Sequence, residues 1–132
     1  MSKINLACLI EDDPVHIYLS KRYLESSGYI DNIQIYNNGK EAYDGLKEDW
    51  ESNKTLPEII LLDLTMPVWD GWKFLDEFIK LPIEKQITIY ILTSSINEAD
   101  KQRASNYNVV KNYLVKPITM QTLVELIERM ED

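Results

Sequence analysis

Five short apolar runs, separated by segments with helical character, constrain the fold of this chain more than any other feature. Each run is a few residues long and rich in Ile, Leu, Val and Tyr. Runs of this kind predict strands, and their near-continuous apolar character is typical of strands buried on both faces of a parallel sheet. The predicted strands cover residues 5–10, 33–36, 58–62, 87–92 and 112–115.

The segments between the runs have the signatures of helices. Asp13 is a candidate N-cap, Pro14 suits the first helical position, and Gly28 is expected to end the first helix. The predicted helices cover residues 14–27, 40–50, 70–80, 97–106 and 119–130. This strict alternation predicts an α/β fold, in which a five-stranded parallel sheet carries helices on both faces.

Length and charge narrow the class of protein. The five predicted strand–helix pairs fill the 132 residues, so we expect a single domain over residues 1–132. A net charge of −8 argues against nucleic acid and anionic membrane surfaces as partners. The apolar runs are far shorter than the roughly 18 residues that span a bilayer. We also find no secretory signal, and therefore expect a soluble cytoplasmic protein.

Polar residues lie where the predicted strands end. Glu11 and Asp12 follow the first strand, Asp63 the third, Thr93 the fourth and Lys116 the fifth. In the doubly wound strand order 2-1-3-4-5 the first and third strands are neighbours, so the three carboxylates would converge in one crevice. Clustered carboxylates favour a cation, and Mg²⁺ prefers such oxygen ligands. An ammonium and a hydroxyl at the same rim suit a phosphoryl group.

Four segments at the ends of predicted strands form a pattern in this order along the chain. They are Leu9-Ile10-Glu11-Asp12-Asp13-Pro14, the run from Leu62-Asp63-Leu64-Thr65-Met66-Pro67 through Val68-Trp69-Asp70-Gly71, Ile91-Leu92-Thr93-Ser94, and Tyr113-Leu114-Val115-Lys116-Pro117. Together they resemble the receiver domain of two-component response regulators. The resemblance covers residues 4–130 and implies a flavodoxin-like fold in a stand-alone, single-domain form similar to the chemotaxis regulators.

The resemblance implies a phosphoacceptor and a metal site. Asp63 would accept a phosphoryl group from the phosphohistidine of a histidine kinase or a histidine phosphotransfer protein, forming an acyl phosphate. The cofactor would be Mg²⁺ or Mn²⁺. Asp12 would bind the metal directly and Glu11 through water, and Asp63 and the main-chain carbonyl of Thr65 would complete the protein ligands. Glu11 stands where Asp is more usual, which the family tolerates.

The resemblance also implies how phosphorylation is sensed. Lys116 and Thr93 would contact the phosphoryl oxygens, and Tyr113 would change rotamer as Thr93 moves, altering the surface of the fourth helix, fifth strand and fifth helix. An unidentified downstream protein would bind that surface, or the phosphoryl group would pass to another histidine. Thr65 and Ser95 occupy the positions that tune the lifetime of the phosphoryl group. The protein would transfer phosphate only onto itself, and would not be a turnover enzyme.

Two other functions compete with this interpretation. A binding module that keeps the fold but works without phosphorylation would not need the acidic constellation. A small phosphohydrolase is disfavoured by Thr65, which stands where aspartate-nucleophile phosphatases carry a second Asp.

Several residues have two interpretations. Trp69 either docks a partner or packs in its loop, and the surplus apolar residues Ile17 and Tyr18 either dock a kinase or are ordinary surface residues. Cys8 is expected to be buried and inert. Asn106 or Asn108 is expected to supply a left-handed turn after the fourth helix.

Overall fold

The computed structural model describes residues 4–94, 97–116 and 118–130, and it contains five parallel strands that alternate with five helices. The strand order is β2-β1-β3-β4-β5, so the predicted doubly wound fold is confirmed. The elements are β1 (Ile4–Ile10), α1 (Pro14–Ser26), β2 (Ile30–Tyr36), α2 (Gly39–Glu51), β3 (Ile59–Asp63), α3 (Gly71–Phe78), β4 (Thr88–Thr93), α4 (Glu98–Ala104), β5 (Val110–Val115) and α5 (Met120–Arg129).

Two apolar layers, one on each face of the sheet, form the core. Helices α2, α3 and α4 cover one face and α1 and α5 the other. Every residue of the central strand β3 is buried: Ile60 and Leu62 belong to the first layer, whereas Ile59 and Leu61 belong to the second. This alternation follows from the two-residue period of a strand, and it explains why β3 reads as a continuous apolar run.

The edge strands begin earlier than predicted. Strand β2 starts at Ile30 rather than residue 33, and β5 starts at Val110 rather than residue 112. Each begins with a half-buried isoleucine or valine followed by two exposed polar residues. An edge strand has a solvated side, so a search for apolar runs misses its first residues.

A capping side chain precedes each of the five helices. The Asp13 carboxylate accepts a hydrogen bond from the Val15 N–H at 2.9 Å, as its predicted N-cap role requires. Asn38, Asp70, Asn97 and Thr119 likewise each accept a backbone N–H of the first helical turn. Such a cap typically contributes about 1 kcal/mol, which matters most for the short helices α3 and α4.

The turn after α4 differs from the expectation. Neither Asn106 nor Asn108 has a positive φ, so the predicted left-handed turn is wrong. The N–H groups of Asn106 and Tyr107 instead donate to the carbonyls of Arg103 and Ala104 in tight i→i+3 bonds. These bonds satisfy the last carbonyls of the helix without a left-handed residue.

None of the helices in the described part of the chain is long and apolar enough to cross a membrane.

Candidate functional site

The carboxyl ends of the strands bring Glu11, Asp63 and Lys116 into contact. Asp63 is the last residue of β3, Glu11 directly follows β1, and Lys116 directly follows β5. The Lys116 Nζ lies 2.7 Å from Glu11 Oε2 and 3.0 Å from Asp63 Oδ1. Both carboxylates are buried, and the lysine side chain is only 8% exposed. One ammonium thus bridges two carboxylates that come from different strands.

Asp12 adds a third carboxylate to this group. Glu11, Asp12 and Asp63 each offer an oxygen, and these oxygens all lie within 4.8 Å of one another. Asp12 is exposed, whereas the other two are buried. The structure thus brings together the three carboxylates that the strand ends predicted.

The oxygens of this cluster fit a divalent cation. Glu11 Oε1 accepts the Asp13 N–H at 3.2 Å. Glu11 Oε2 is buried, and no described group donates an aligned hydrogen bond to it, although the Lys116 ammonium is close. A buried oxygen with spare acceptor capacity, beside two further carboxylates, suits Mg²⁺ or Mn²⁺.

Burial and nearby charges together determine the pKa values of Glu11 and Lys116. Burial raises the pKa of the Glu11 carboxyl, and the nearby Asp63 charge raises it further, while the positively charged Lys116 ammonium opposes both effects. Burial alone would lower the pKa of Lys116, but the interactions of its ammonium with the Glu11 and Asp63 carboxylates outweigh burial and hold its pKa above the ordinary value. Lys116 is therefore charged at neutral pH and keeps its donors aimed at Asp63.

A glycine lets α3 begin directly against the end of β3. The Gly71 N–H donates to the Leu64 carbonyl at 3.0 Å. A Cβ at Gly71 would lie 2.6 Å from the Asp63 carbonyl oxygen and 2.9 Å from the Leu64 Cα, closer than real side chains approach backbone. The loop from residue 63 to residue 71 can therefore fold back on itself only with glycine at this position.

The predicted sensing residues surround two neighbouring cavities. Thr93 and Tyr113 line a cavity of about 10 Å³, together with Leu64 and residues of α4. Thr93 and Thr65 line a larger, open cavity of about 320 Å³. The main chain joins β4 and β5 here, since the Lys116 N–H donates to the Thr93 carbonyl at 2.8 Å. Ser95, the other residue predicted to tune the lifetime, lies outside the described residues.

The structure also gives the positions of Trp69, Ile17 and Tyr18, the residues for which the sequence allows two interpretations. Trp69 is half-buried and packs 5.3 Å from the Tyr43 ring, with the Lys40 and Lys73 ammonium groups each 5.2 Å from its own ring. Tyr18 is 61% exposed and Ile17 is half-buried. These positions leave both interpretations open.

Cys8 is fully buried in the apolar layer beneath α2, and burial raises the pKa of its thiol far above the ordinary value. A thiol in this environment stays protonated and unreactive. The prediction of an inert, packed cysteine agrees with this placement.

The contacts between helix α4 and the site were not predicted from the sequence. The Lys101 Nζ lies 5.7 Å from the centre of the Tyr113 ring, and Asp100 lines both cavities beside Thr93. These contacts depend on where α4 packs, and no local pattern encodes that. Val68 has a φ of 66°, which is rare for a β-branched residue and carries no sequence signal beyond the preceding proline.

The site agrees with the result of comparison with known proteins. The family model of the response regulator receiver domain matches residues 7–128. The chain belongs to the response regulator receiver family. It is the receiver domain of a two-component response regulator. The probable methanogenesis regulatory protein FilR2 of Methanothrix harundinacea is 32% identical to this receiver, over 94% of this chain and 79% of FilR2.

Solved structures agree with this assignment. A two-component response regulator from Cytophaga hutchinsonii matches this receiver with a TM-score of 0.86 and 27% identity, over 98% of this chain and 99% of that one. The Mn²⁺-bound form of response regulator Rcp1 matches with a TM-score of 0.73 and 29% identity, over 96% and 91% of the two chains. Rcp1 is a protein of Synechocystis.

Proposed function

We propose that this receiver is a signalling switch that accepts one phosphoryl group on Asp63. The observation that carries the proposal is the Lys116 ammonium, 3.0 Å from Asp63 Oδ1 within a cluster of three carboxylates. A carboxylate oxygen of Asp63 attacks the phosphorus of a phosphohistidine. The new O–P bond forms as the P–N bond breaks, and the imidazole leaves with the electron pair of that bond.

Glu11, Asp12 and Asp63 would hold the divalent cation, with the Thr65 carbonyl as a further oxygen ligand. The bound cation supplies neutralisation of the negative charge that gathers on the phosphoryl oxygens. The Mn²⁺ bound by the relative Rcp1 supports this assignment. Either Mn²⁺ or Mg²⁺ suits an all-oxygen ligand set.

Lys116 has a different role before and after transfer. In the unphosphorylated protein its ammonium neutralises part of the charge on Glu11 and Asp63. Once Asp63 carries the phosphoryl group, the same ammonium donates to a phosphoryl oxygen, and the Thr93 hydroxyl donates to another. Tyr113 then turns toward the space beside Thr93, and the surface of α4, β5 and α5 changes.

The phosphodonor is a histidine kinase or a histidine phosphotransfer protein, because receiver domains accept phosphoryl groups from histidine kinases. The output is altered binding of a second protein at the surface of α4, β5 and α5. The receiver consumes one phosphoryl group per cycle and slowly loses it to water, so it is not a turnover enzyme.

The test uses acetyl phosphate and Mg²⁺ with the full chain. We expect a mass increase of one phosphoryl group that survives acid and is lost in base. The adduct should disappear in Asp63→Asn and persist in Asp44→Asn, a matched exposed aspartate on α2. No adduct in the wild type, or an adduct in Asp63→Asn, would reject Asp63 as the acceptor and favour a binding module that works without phosphorylation.

A further inference from the structure

The proposed cation site contains one ligand whose position no side-chain rotation can adjust. Glu11, Asp12 and Asp63 stand at or just beyond strand ends, whereas Thr65 would contribute its main-chain carbonyl from the segment between β3 and α3. We call residues 64–70 the β3–α3 loop. Because a backbone carbonyl moves only with the chain that carries it, the path of this loop determines whether the Thr65 oxygen can reach a cation.

The β3–α3 loop has few buried side chains to fix that path. The Gly71 N–H donates to the Leu64 carbonyl at 3.0 Å and closes the loop at its base. Of residues 65–70, Met66 is buried, Trp69 is half-buried and the other four are exposed. Met66 and Trp69 are thus the two side chains whose burial can anchor this segment to the rest of the domain.

The loop also contains a strained residue beside Trp69. Val68 has a φ of 66° and its side chain is 76% exposed, so its own packing does not hold this conformation. Backbone conformations of this kind persist where the surrounding structure determines them. The contacts of Trp69, which directly follows Val68, therefore bear on the path of the whole loop.

Trp69 is attached to the first turns of α2 through both its main chain and its ring. Its carbonyl accepts the Gly39 N–H at 3.0 Å. Its ring centre lies 5.3 Å from that of the Tyr43 ring, and the ammonium groups of Lys40 and Lys73 each lie 5.2 Å from it. Gly39, Lys40 and Tyr43 belong to α2, whereas Lys73 belongs to α3. Trp69 therefore joins the loop to both helices.

Gly39 allows the loop to approach α2 directly. A Cβ at this position would lie 2.8 Å from the Trp69 carbonyl oxygen and 3.0 Å from the Asp70 carbonyl oxygen, closer than backbone atoms tolerate. The φ of Gly39 is not in the left-handed region, so space rather than backbone conformation requires glycine here. The N–H groups of a first helical turn have no partner within the helix, and the Trp69 carbonyl supplies one for Gly39.

We propose that Trp69 is a positioning residue for the cation site. By holding the β3–α3 loop against α2, it keeps the Thr65 carbonyl where this oxygen can complete the ligand set of the three carboxylates. The inference rests on the proposed function, in which that carbonyl binds the cation. It assigns Trp69 to packing in its loop rather than to the docking of a partner.

Amide exchange of the full chain tests the attachment without metal or phosphodonor. In Trp69→Ala, we expect the buried Gly39 N–H to exchange about tenfold faster, because its acceptor is no longer held in place. Trp69→Phe keeps a ring that can pack on Tyr43 and should restore most of the protection. Trp50→Ala, the matched control, removes a half-buried tryptophan near the other end of α2 and should leave Gly39 unchanged. Equal Gly39 exchange in wild type and Trp69→Ala would overturn the proposal.

Mn²⁺ binding tests the role of Trp69 in the cation site. The electron paramagnetic resonance signal of free Mn²⁺ falls as the ion binds, so a titration gives its dissociation constant. Loss of a residue that orients a metal ligand typically weakens binding by about tenfold or more, and we expect this in Trp69→Ala and Gly39→Ala. Trp69→Phe should restore most of the affinity. Trp50→Ala should lower the urea midpoint but bind Mn²⁺ as wild type does, which separates positioning from a general loss of stability.

The two measurements distinguish failure of this inference from failure of the proposed function. A wild type that binds no Mn²⁺, or whose binding is unaffected by Asp12→Ala, would reject the proposed cation site and with it the role of Trp69 there. Gly39 exchange would still decide whether Trp69 fixes the loop. Binding that depends on Asp12 but is unchanged in Trp69→Ala would overturn the positioning role alone and favour the docking of a partner.

Discussion

Lys116 allows two buried carboxylates to lie side by side. Its ammonium is 2.7 Å from Glu11 and 3.0 Å from Asp63. Ionised carboxylates this close repel strongly in a buried site unless a positive charge lies between them. One ammonium still leaves an excess of negative charge once Asp12 is counted. The same three carboxylates therefore favour a divalent cation, and the ammonium is already placed for the oxygens of a phosphoryl group.

Val68 stores backbone strain at the surface. Its φ is 66° and its side chain is 76% exposed, so packing offsets little of the cost. Val68→Gly should raise the free energy of unfolding by about 1 kcal/mol, because glycine adopts positive φ without a steric penalty. Lys21→Gly, at an exposed position inside α1, should lower it by roughly 0.5–1 kcal/mol. Urea unfolding followed by circular dichroism measures both. A Val68→Gly variant no more stable than wild type would show that Val68 is unstrained.

Tyr36 gives the stability a dependence on alkaline pH. Burial, with the nearby carboxylate charges of Asp49 and Glu48 adding to it, raises the pKa of Tyr36 to about 12. An unfolded tyrosine loses its proton near pH 10. The folded state therefore binds more protons between these values, and the contribution of Tyr36 is complete below about pH 10 and is lost as pH rises toward 12.

Tyr36→Phe separates this titration from those of the other tyrosines. The ultraviolet difference between wild type and variant should show a phenol that ionises near pH 12. The decline in unfolding free energy between about pH 10 and 12 should be shallower in the variant. A difference spectrum with a midpoint near pH 10 would contradict the burial of the phenol.

The start of helix α3 packs against the end of strand β3, which carries Asp63, and Gly71 makes this close packing possible. A Cβ at Gly71 would clash with backbone atoms of Asp63 and Leu64, which have no room to yield. Gly28, in contrast, needs glycine only for its φ of 81°, because a Cβ at that position would have no other atom within 4 Å. Steric crowding thus requires glycine at residue 71, whereas the backbone conformation requires it at residue 28.

Gly71→Ala should destabilise the protein by about 2–3 kcal/mol, at the upper end of overpacking effects and despite the better helix propensity of alanine. Gly28→Ala should cost about 1 kcal/mol. Only Gly71→Ala should also slow phosphorylation by acetyl phosphate, because it displaces the carbonyl of Asp63. Urea midpoints and adduct formation measure the two effects. If Gly71→Ala and Gly28→Ala lowered the unfolding free energy by the same amount, steric crowding at Gly71 would be refuted.

Elements with strong local signals were predictable from the sequence. The central strand β3 is apolar on both faces, and the cap Asp13 stands directly before its helix. The starts of β2 and β5 were not predictable from apolar runs, because edge strands expose polar residues. The turn after α4 was mispredicted because an asparagine there admits both a left-handed turn and a tight i→i+3 turn.

The functional site also has a part that was predictable from the sequence and a part that was not. The positions of Glu11, Asp12, Asp63 and Lys116 follow from the ends of their strands, since parallel strands end at one edge of the sheet. The contact of Arg103 with Trp72 depends on the docking angle of α4 against α3. That angle is set by tertiary packing, which leaves no periodic signal in a helix of seven residues.

At the scale of the whole molecule, the net charge of −8 and the acidic crevice respond differently to salt and to metal. Salt screens the diffuse surface charge with modest effect. A divalent cation at one site stabilises the folded state by about 2.7 kcal/mol at a concentration a hundredfold above its dissociation constant. The crevice should therefore dominate the response to Mg²⁺.

Asp12→Ala should abolish most of the thermal stabilisation that Mg²⁺ provides. It should also raise stability in the absence of metal, because one of three repelling carboxylates is removed. Asp44→Ala is the control, and NaCl at matched ionic strength accounts for screening. Thermal unfolding compares wild type, Asp12→Ala and Asp44→Ala, each without metal, with Mg²⁺ and with NaCl. A Mg²⁺ response that persists in Asp12→Ala would place the cation elsewhere.

The most direct test of the central claim is to locate the phosphoryl group in the chain. After incubation with acetyl phosphate and Mg²⁺, borohydride reduces an aspartyl phosphate to homoserine, and peptide mass spectrometry identifies its position. We predict homoserine at residue 63 and at no other aspartate. Homoserine at Asp12 or another position, or none after a demonstrated phosphodonor reaction, would contradict the assignment of Asp63 as the phosphoacceptor.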